Sequence, residues 1–309
     1  MKDPRWLLGF RSDVYSQTGE DGVIAKVLAT LPKADRWCVE FGAWDGEYLS
    51  NVCNLIDNQG YAGVLIEGSA TKFQELRKRY AANSKVTPLN KMVGFGKEDN
   101  LDEILKGTPI PLDFDFLSID IDGNDYHVWK AVSRYRPKVV CIEFNPTVPT
   151  EVRWVQPADA RLNRGASLLA LVELAKKKAY ELVCVLPWNA IFVRGEYFPL
   201  FEISDNRPKS LRADLTAVTY FFSGYDGAIL LAGAQRLPWH GLEFREADLQ
   251  ILPRMLRRYP LDYSWAQQRL FWLFKQFTGL RTHTRRLFRL FWRLAGLRKR
   301  ARNIRDGRS

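Results

Sequence analysis

The sequence predicts an α/β fold: a Rossmann-like, doubly wound, mostly parallel sheet with a terminal antiparallel hairpin and a helical C-terminal extension. Three observations predict it. Four apolar runs (residues 37–41, 62–67, 115–121 and 138–144) are continuous rather than alternating, the pattern of strands covered on both faces. Helix-period stretches alternate with strands along the chain, which implies right-handed crossovers and an open sheet. The last 45 residues carry an amphipathic helical pattern with a strong basic excess.

In chain order, Trp37–Phe41 is a short first strand ending at Gly42, and Ala62–Glu67 is a second. Residues 69–82 read as a helix with Ser69 as cap and apolar positions at Phe73, Leu76 and Tyr80. Strands over 115–121 and 138–144 follow, then a helix over 165–178. Residues 180–186 and 190–194 flank a Pro-Trp-Asn turn and form the expected hairpin. Strand-like pieces recur at Val218–Phe222 and Ala228–Leu231. The expected division is a ligand-binding domain over 1–205, its extension over 206–264 and a basic amphipathic tail over 265–309.

The chain has 309 residues, is 46% hydrophobic and carries a net charge of +11. The charge is not spread evenly. Residues 265–309 hold thirteen Lys and Arg against one acid, Asp306, a net +12 that leaves the other 264 residues at −1. A basic appendage with its own partner is expected. With Leu287 at the centre of a helical wheel, Leu290, Phe291, Leu294 and Leu297 share its side. Arg285, Arg289, Arg293 and Arg300 lie opposite, which suits an anionic membrane surface. Packing on the chain itself or on a second subunit is the alternative. Nucleic acid is disfavoured, because the aromatics do not interleave with the arginines.

Four cysteines without a CxxC pair read as reduced, buried thiols. No apolar run approaches the ~18 residues of a membrane span, and the start shows no secretory signal. A cytoplasmic protein, peripheral at the inner membrane face through its tail, is expected.

Four motifs carry the chemistry. The first, Val39 to Gly46, reads E-x-G-x-x-x-G on the first strand-to-helix turn. Gly42 and Gly46 allow close approach of a ligand, and Glu40 and Asp45 suit a cationic one. The missing GxGxxG disfavours a nicotinamide dinucleotide and hence an oxidoreductase. The second is Glu67, closing the second strand, where an acid accepts both hydroxyls of a ribose. The third runs from Ser118 to His127. Three acids (Asp120, Asp122, Asp125) within six residues are costly to crowd without a cation, proton or solvent. His127 is a base candidate, or a helix histidine. Glu143 and Asn145 end the next strand and should face the same cleft. No metal is favoured, although a divalent ion on Asp120, Asp122 and Glu143 is an alternative. The fourth, Tyr15 to Asp21, has Thr18 and Asp21 at capping-box spacing and closes over the ligand or starts a helix.

Taken in order, Tyr15–Asp21, Val39–Gly46, Ile66-Glu67-Gly68, Ile119–Asp125 and Ile142–Asn145 resemble the FkbM-type class I methyltransferases over about residues 12–200. The resemblance implies O-methylation with S-adenosylmethionine, often of sugar hydroxyls in glycans, glycolipids or glycosylated metabolites. It places Gly42, Asp45 and Glu67 against the cofactor, with Asp120 at its methyl-donor end; Gln17, Glu40, Gly46 and Gly68 are further expected cofactor contacts. Many members resemble Lys-x-Asp-x-Glu-Gly at the third motif, whereas this chain has Ser118 and Asp122 there. Asp120, Asp122 and His127 are therefore the expected catalytic residues. A carbohydrate or lipid-linked glycan is the expected acceptor, and oligomerisation stays open. A non-catalytic binding protein at a membrane surface and an RNA methyltransferase are the competing readings.

Overall fold

The computed structural model describes residues 2–32 and 35–278. The chain divides into two compact units, residues 1–219 and 220–309. The stretch expected as one extension over 206–264 thus contributes to both.

The first unit is built on a seven-stranded sheet. Trp37–Phe41 (β1), Ala62–Glu67 (β2), Val86–Asn90 (β3), Phe116–Ile119 (β4) and Val139–Glu143 (β5) are parallel. Tyr180–Val185 (β6) and Asn189–Arg194 (β7) form the hairpin, and β7 pairs antiparallel with β5. The strand order is β3-β2-β1-β4-β5-β7-β6. Connections leave β1 toward β2 on one side and β4 on the other. The carboxyl ends of the strands at such a reversal are where open α/β sheets bind ligands.

The helices are Glu20–Thr30 (α1), Cys53–Gln59 (α2), Ala70–Arg79 (α3), Leu101–Leu105 (α4), Asp125–Ala131 (α5), Leu168–Lys177 (α6) and Pro208–Leu211 (α7). The period-two alternation of the strands sorts side chains onto two faces. Cys38, Leu65, Phe116, Cys141 and Ile191 pack with Val23, Ile24 and Val27 of α1. Val39, Ile66, Leu117, Val140 and Phe192 pack with Leu105, Trp129 and Leu171 on the other side. Carried two residues on, the first alternation puts Glu40, Glu67, Glu143 and Asn189 on the face of α1.

Helix α3 starts at its predicted cap, with Ser69 accepting from the Lys72 amide, and α6 starts at Ser167, which accepts from the Ala170 amide, inside the range 165–178. Three details differ from the sequence reading. Strand β3 has no predicted counterpart, because Pro88 and its half-exposed pattern obscure it; as an edge strand it tolerates the proline. Strand β4 stops at Ile119, two residues early, because the following loop is bound to Asp125. The capping box at Thr18–Asp21 does not form. Gly19, at φ +99°, caps α1, while the Glu20 carboxylate turns back to the Thr18 amide and hydroxyl. All four cysteines are free and buried.

The second unit contains the paired strands Thr219–Ser223 (β8) and Ile229–Gly233 (β9), and the short pair Arg236–Leu237 (β10) and Leu242–Glu243 (β11). A helix over 265–278 (α8) follows. Ser264 and Gln267 begin it reciprocally: the Gln267 amide donates to Ser264 Oγ at 3.3 Å, and the Ser264 amide donates to Gln267 Oε1 at 3.0 Å. The expected tail helix beyond residue 278, around Leu287, lies outside the described residues. Among the described residues no helix is long and apolar enough to cross a membrane.

Candidate active site

The turn after β1 is shaped by its glycines. Gly42 has φ +72°, and a Cβ there would lie 2.5 Å from the Asp120 carbonyl oxygen. Only glycine lets the first and third motifs approach this closely. Gly46 has φ +84°, and a Cβ would strike Leu76 and Tyr80 at 2.7 and 2.8 Å, so the turn lies directly on α3. The Asp45 carboxylate accepts the Glu47 and Tyr48 amides at 3.0 and 2.8 Å. Burial opposes its charge, but these amides and Lys72 outweigh it and hold the carboxyl below its usual range.

Glu67 is 6% exposed, and each of its oxygens takes one amide: Trp44 at 2.9 Å and Ser69 at 2.6 Å. A carboxylate has about four lone-pair sites, so two remain for a diol. Next to it, a side chain at Gly68 would meet Met92 Sδ at 2.0 Å. Gln17 is exposed, in a loop held from below by Asp21. Asp21 Oδ2 accepts the amides of Val14, Tyr15 and Ser16 at 2.8–2.9 Å. Thus Asp21 lies in the first turn of a helix, as the helix-start reading has it, and also organises the loop that precedes that helix.

Glu40 is a linker as well as an acid. It accepts the Ser50 hydroxyl at 2.6 Å and the Asn51 amide at 2.9 Å, and Asn51 Nδ2 reaches Ser118 Oγ at 3.1 Å. Burial pushes its pKa up to about 7 against those hydrogen bonds.

The third motif forms a dense acidic edge. Strand registers pair Ile119 with Ile142 and Glu143 with Asn189, so Asp120, Glu143 and Asn189 end three neighbouring strands side by side. Carboxylate oxygens of Asp120, Asp122 and Glu143 all lie within 4.8 Å of one another, a spacing that also suits a divalent ion. Burial, then repulsion by Asp125, Asp122 and Glu40, raises Asp120 well above its usual range. Burial, then Asp120, Asp125 and Asp122, does the same to Glu143. Asp125 shapes the loop by accepting the Ile121 and Gly123 amides, each at 2.9 Å, and burial pushes its pKa up to about 6. Asp122 is held at φ +55° in this loop.

His127 lies on α5, two residues past Asp125, with the rings of Phe95 and Tyr126 at 5.5 and 5.4 Å. Its Nε2 is 2.8 Å from the Gln156 carbonyl, which accepts only, so Nε2 carries the proton and Nδ1 is the basic nitrogen. The Asn145 amide binds the Arg164 carbonyl and Thr147, forming a turn rather than extending the acidic row.

Sequence reasoning did not find Asn189. It is 2% exposed, its Nδ2 donates to Glu20 Oε1 at 3.1 Å, and its Oδ1 has no hydrogen-bond partner. Asp21 Oδ1 is buried and unpartnered in the same way. The sequence signal for Asn189 is a polar residue opening a strand whose next four residues are apolar.

No family model matches the chain, and no curated protein sequence matches it. Solved structures similar in fold include the citrinin polyketide synthase CMeT domain, at 14% identity and TM-score 0.40 over 59% of this chain and 55% of that one. This match therefore spans about half the length of that chain. A SAM-dependent methyltransferase from Aquifex aeolicus is 14% identical, with TM-score 0.35 over 62% of this chain and 97% of that one. The N-terminal domain of EvdMO1, solved with SAH and D-fucose, is 10% identical, with TM-score 0.38 over 57% and 82%.

Proposed function

We propose that the protein is an S-adenosylmethionine-dependent O-methyltransferase acting on a hydroxyl, that of a sugar in a glycan, glycolipid or glycosylated metabolite. The observation that carries the reading is the row of acids on one face of the sheet's carboxyl edge, at the strand-order reversal, beside a glycine turn. Burial raises Glu40, Asp120 and Glu143, and repulsion by neighbouring acids adds to each shift. Such an edge favours a ligand that brings positive charge.

The residues fit this cofactor. Glu67 keeps lone pairs for a ribose diol, the turn from Gly42 to Gly46 gives close backbone approach, and Asp21 Oδ1 and Asn189 Oδ1 are buried acceptors lacking donors. An ammonium supplies donors of that kind. When bound, the cofactor supplies an electrophilic methyl group on a sulfonium. The chain's own residues position the acceptor, exclude water and take up its proton. Asp120 is suited to the last task, since a carboxyl raised toward neutrality is a stronger base than an ordinary one. Asp122 and Glu143 share its charge, and His127 Nδ1 is the alternative base.

Calorimetric titration with S-adenosylmethionine tests the reading. Micromolar-range binding is expected, weakened in Glu67→Ala by about 2 kcal/mol, roughly 30-fold. Glu67→Gln, which keeps the side chain's shape, separates the lost ribose contact from a loosened loop. Transfer of labelled methyl to a sugar-bearing acceptor completes the test. Absence of cofactor binding overturns the proposal in favour of a non-catalytic binding protein.

A further inference from the structure

Helix α8 is amphipathic on more than one side. Gln267, Phe271 and Phe274 are half-buried: the Phe271 ring meets Tyr263 at 5.6 Å, and Gln267 Nε2 donates to the Met255 carbonyl at 2.9 Å. A separate side, spaced three and four residues apart, presents Ala266, Leu270, Leu273 and Phe277 to solvent. The last three are 38%, 45% and 66% exposed. Trp265 and Trp272, 70% and 58% exposed and seven residues apart, lie together on one side of this stripe, beyond Arg269, whose guanidinium stacks 4.7 Å over the Trp265 ring.

Among the described residues this apolar stripe, bordered on one side by arginine and then tryptophan, is an exposed surface that opens a segment carrying the chain's entire positive excess. We propose that it docks on an anionic lipid bilayer, with Leu270, Leu273 and Phe277 seated at the acyl boundary and Trp265 and Trp272 at the headgroup level. Charge decides between occupants. The sequence from residue 265 onward carries a net +12, so two copies of this segment repel, whereas an anionic surface attracts it. RNA would satisfy the arginines but leave the apolar stripe wet. Tryptophan suits an interface where one end is apolar and the other hydrated. The inference does not rest on the proposed reaction, since the acidic edge lies in the other unit.

The test is flotation of the full chain with vesicles of phosphatidylcholine alone, and of phosphatidylcholine mixed with phosphatidylglycerol. Binding to the mixed vesicles and little to the neutral ones is expected. The combined substitution Leu270→Ser, Leu273→Ser and Phe277→Ser should lower partitioning at least about tenfold, because it removes most of the apolar area available for burial. Leu270→Ile, Leu273→Ile and Phe277→Leu together should keep partitioning within about threefold, since they preserve apolar character. Unchanged circular dichroism shows that the serine variant still folds. Failure of the wild type to float with anionic vesicles overturns the proposal, as does a serine variant that floats equally well. A wild-type dimer that the serine variant dissociates, with vesicle binding unaltered, assigns the stripe to a second copy and overturns it too.

Discussion

Single residues in this site have unequal tasks, and their substitutions should separate them. At Gly42 the demand is steric. The backbone sits at φ +72° with the Asp120 carbonyl 2.5 Å from any added Cβ, so Gly42→Ala must move the turn after β1 or the loop after β4. A loss of about 2–4 kcal/mol in urea-induced unfolding is expected, well above the cost of a surface Gly→Ala change. At Asp120 the demand is chemical. If it takes the acceptor's proton, the ionised form is active, and the rate rises with pH through a window displaced upward from the ordinary carboxylate range. Asp120→Asn should lower the rate about 10²–10⁴-fold and remove that rise, with cofactor affinity changed far less. A variant that keeps the full pH profile would move the role to another group, with His127 the first to examine.

At the scale of elements, short loops carry the geometry that strands only deliver. The turn between β4 and α5 exists in its observed form because one buried carboxylate collects two backbone amides. Asp125→Asn retains one acceptor oxygen but turns the other position into a donor facing an amide. About 2 kcal/mol of stability should be lost by chemical denaturation, and Asp120 and Asp122 should lose their fixed separation. The same logic explains which elements were legible. Helix α3 announces itself by a serine cap and apolar periodicity, and α6 by apolar periodicity. The β6–β7 hairpin announces itself by a turn between two apolar runs. Strand β3 is hidden by Pro88, whereas α1 begins one residue past the start that a Thr18 cap would give, at Gly19, which has no side chain to cap with. Asp21 was readable as a structural acid, but its bonds run backward to residues 14–16, which spacing within a helix does not foretell.

For the whole molecule, the acidic edge links stability to pH with an uncommon sign. Glu40 titrates near 4.5 when unfolded and at about 7 when folded, so the native state binds the extra proton. Its contribution is complete below about pH 4.5 and is lost as pH rises through 7, a change of roughly 3 kcal/mol. Asp125, folded at about 6, and the raised Asp120 and Glu143 act in the same direction. Unfolding free energy should therefore fall between about pH 5 and pH 8, and Glu40→Gln should flatten the slope. A bound cation stabilises the ionised acids, so saturating S-adenosylmethionine should flatten it as well. Stability that climbs with pH over this range would contradict the raised values.

The sequence by itself determined the class of fold, the turns that follow β1, β2 and β5, and the identity of most acids at the strand ends. These are local matters: apolar runs, caps and glycines act over a few residues. Tertiary structure alone decided which acids share a face and which are spent on holding loops. Glu40 is engaged by Ser50 and Asn51, Asn145 by its own turn, and Asn189 arrives beside Glu143 from 46 residues further along. Strand order and register make those neighbours. Burial then turns neighbouring carboxyls into a site with shifted protons, because repulsion and desolvation depend on the surrounding protein in three dimensions rather than on spacing along the chain.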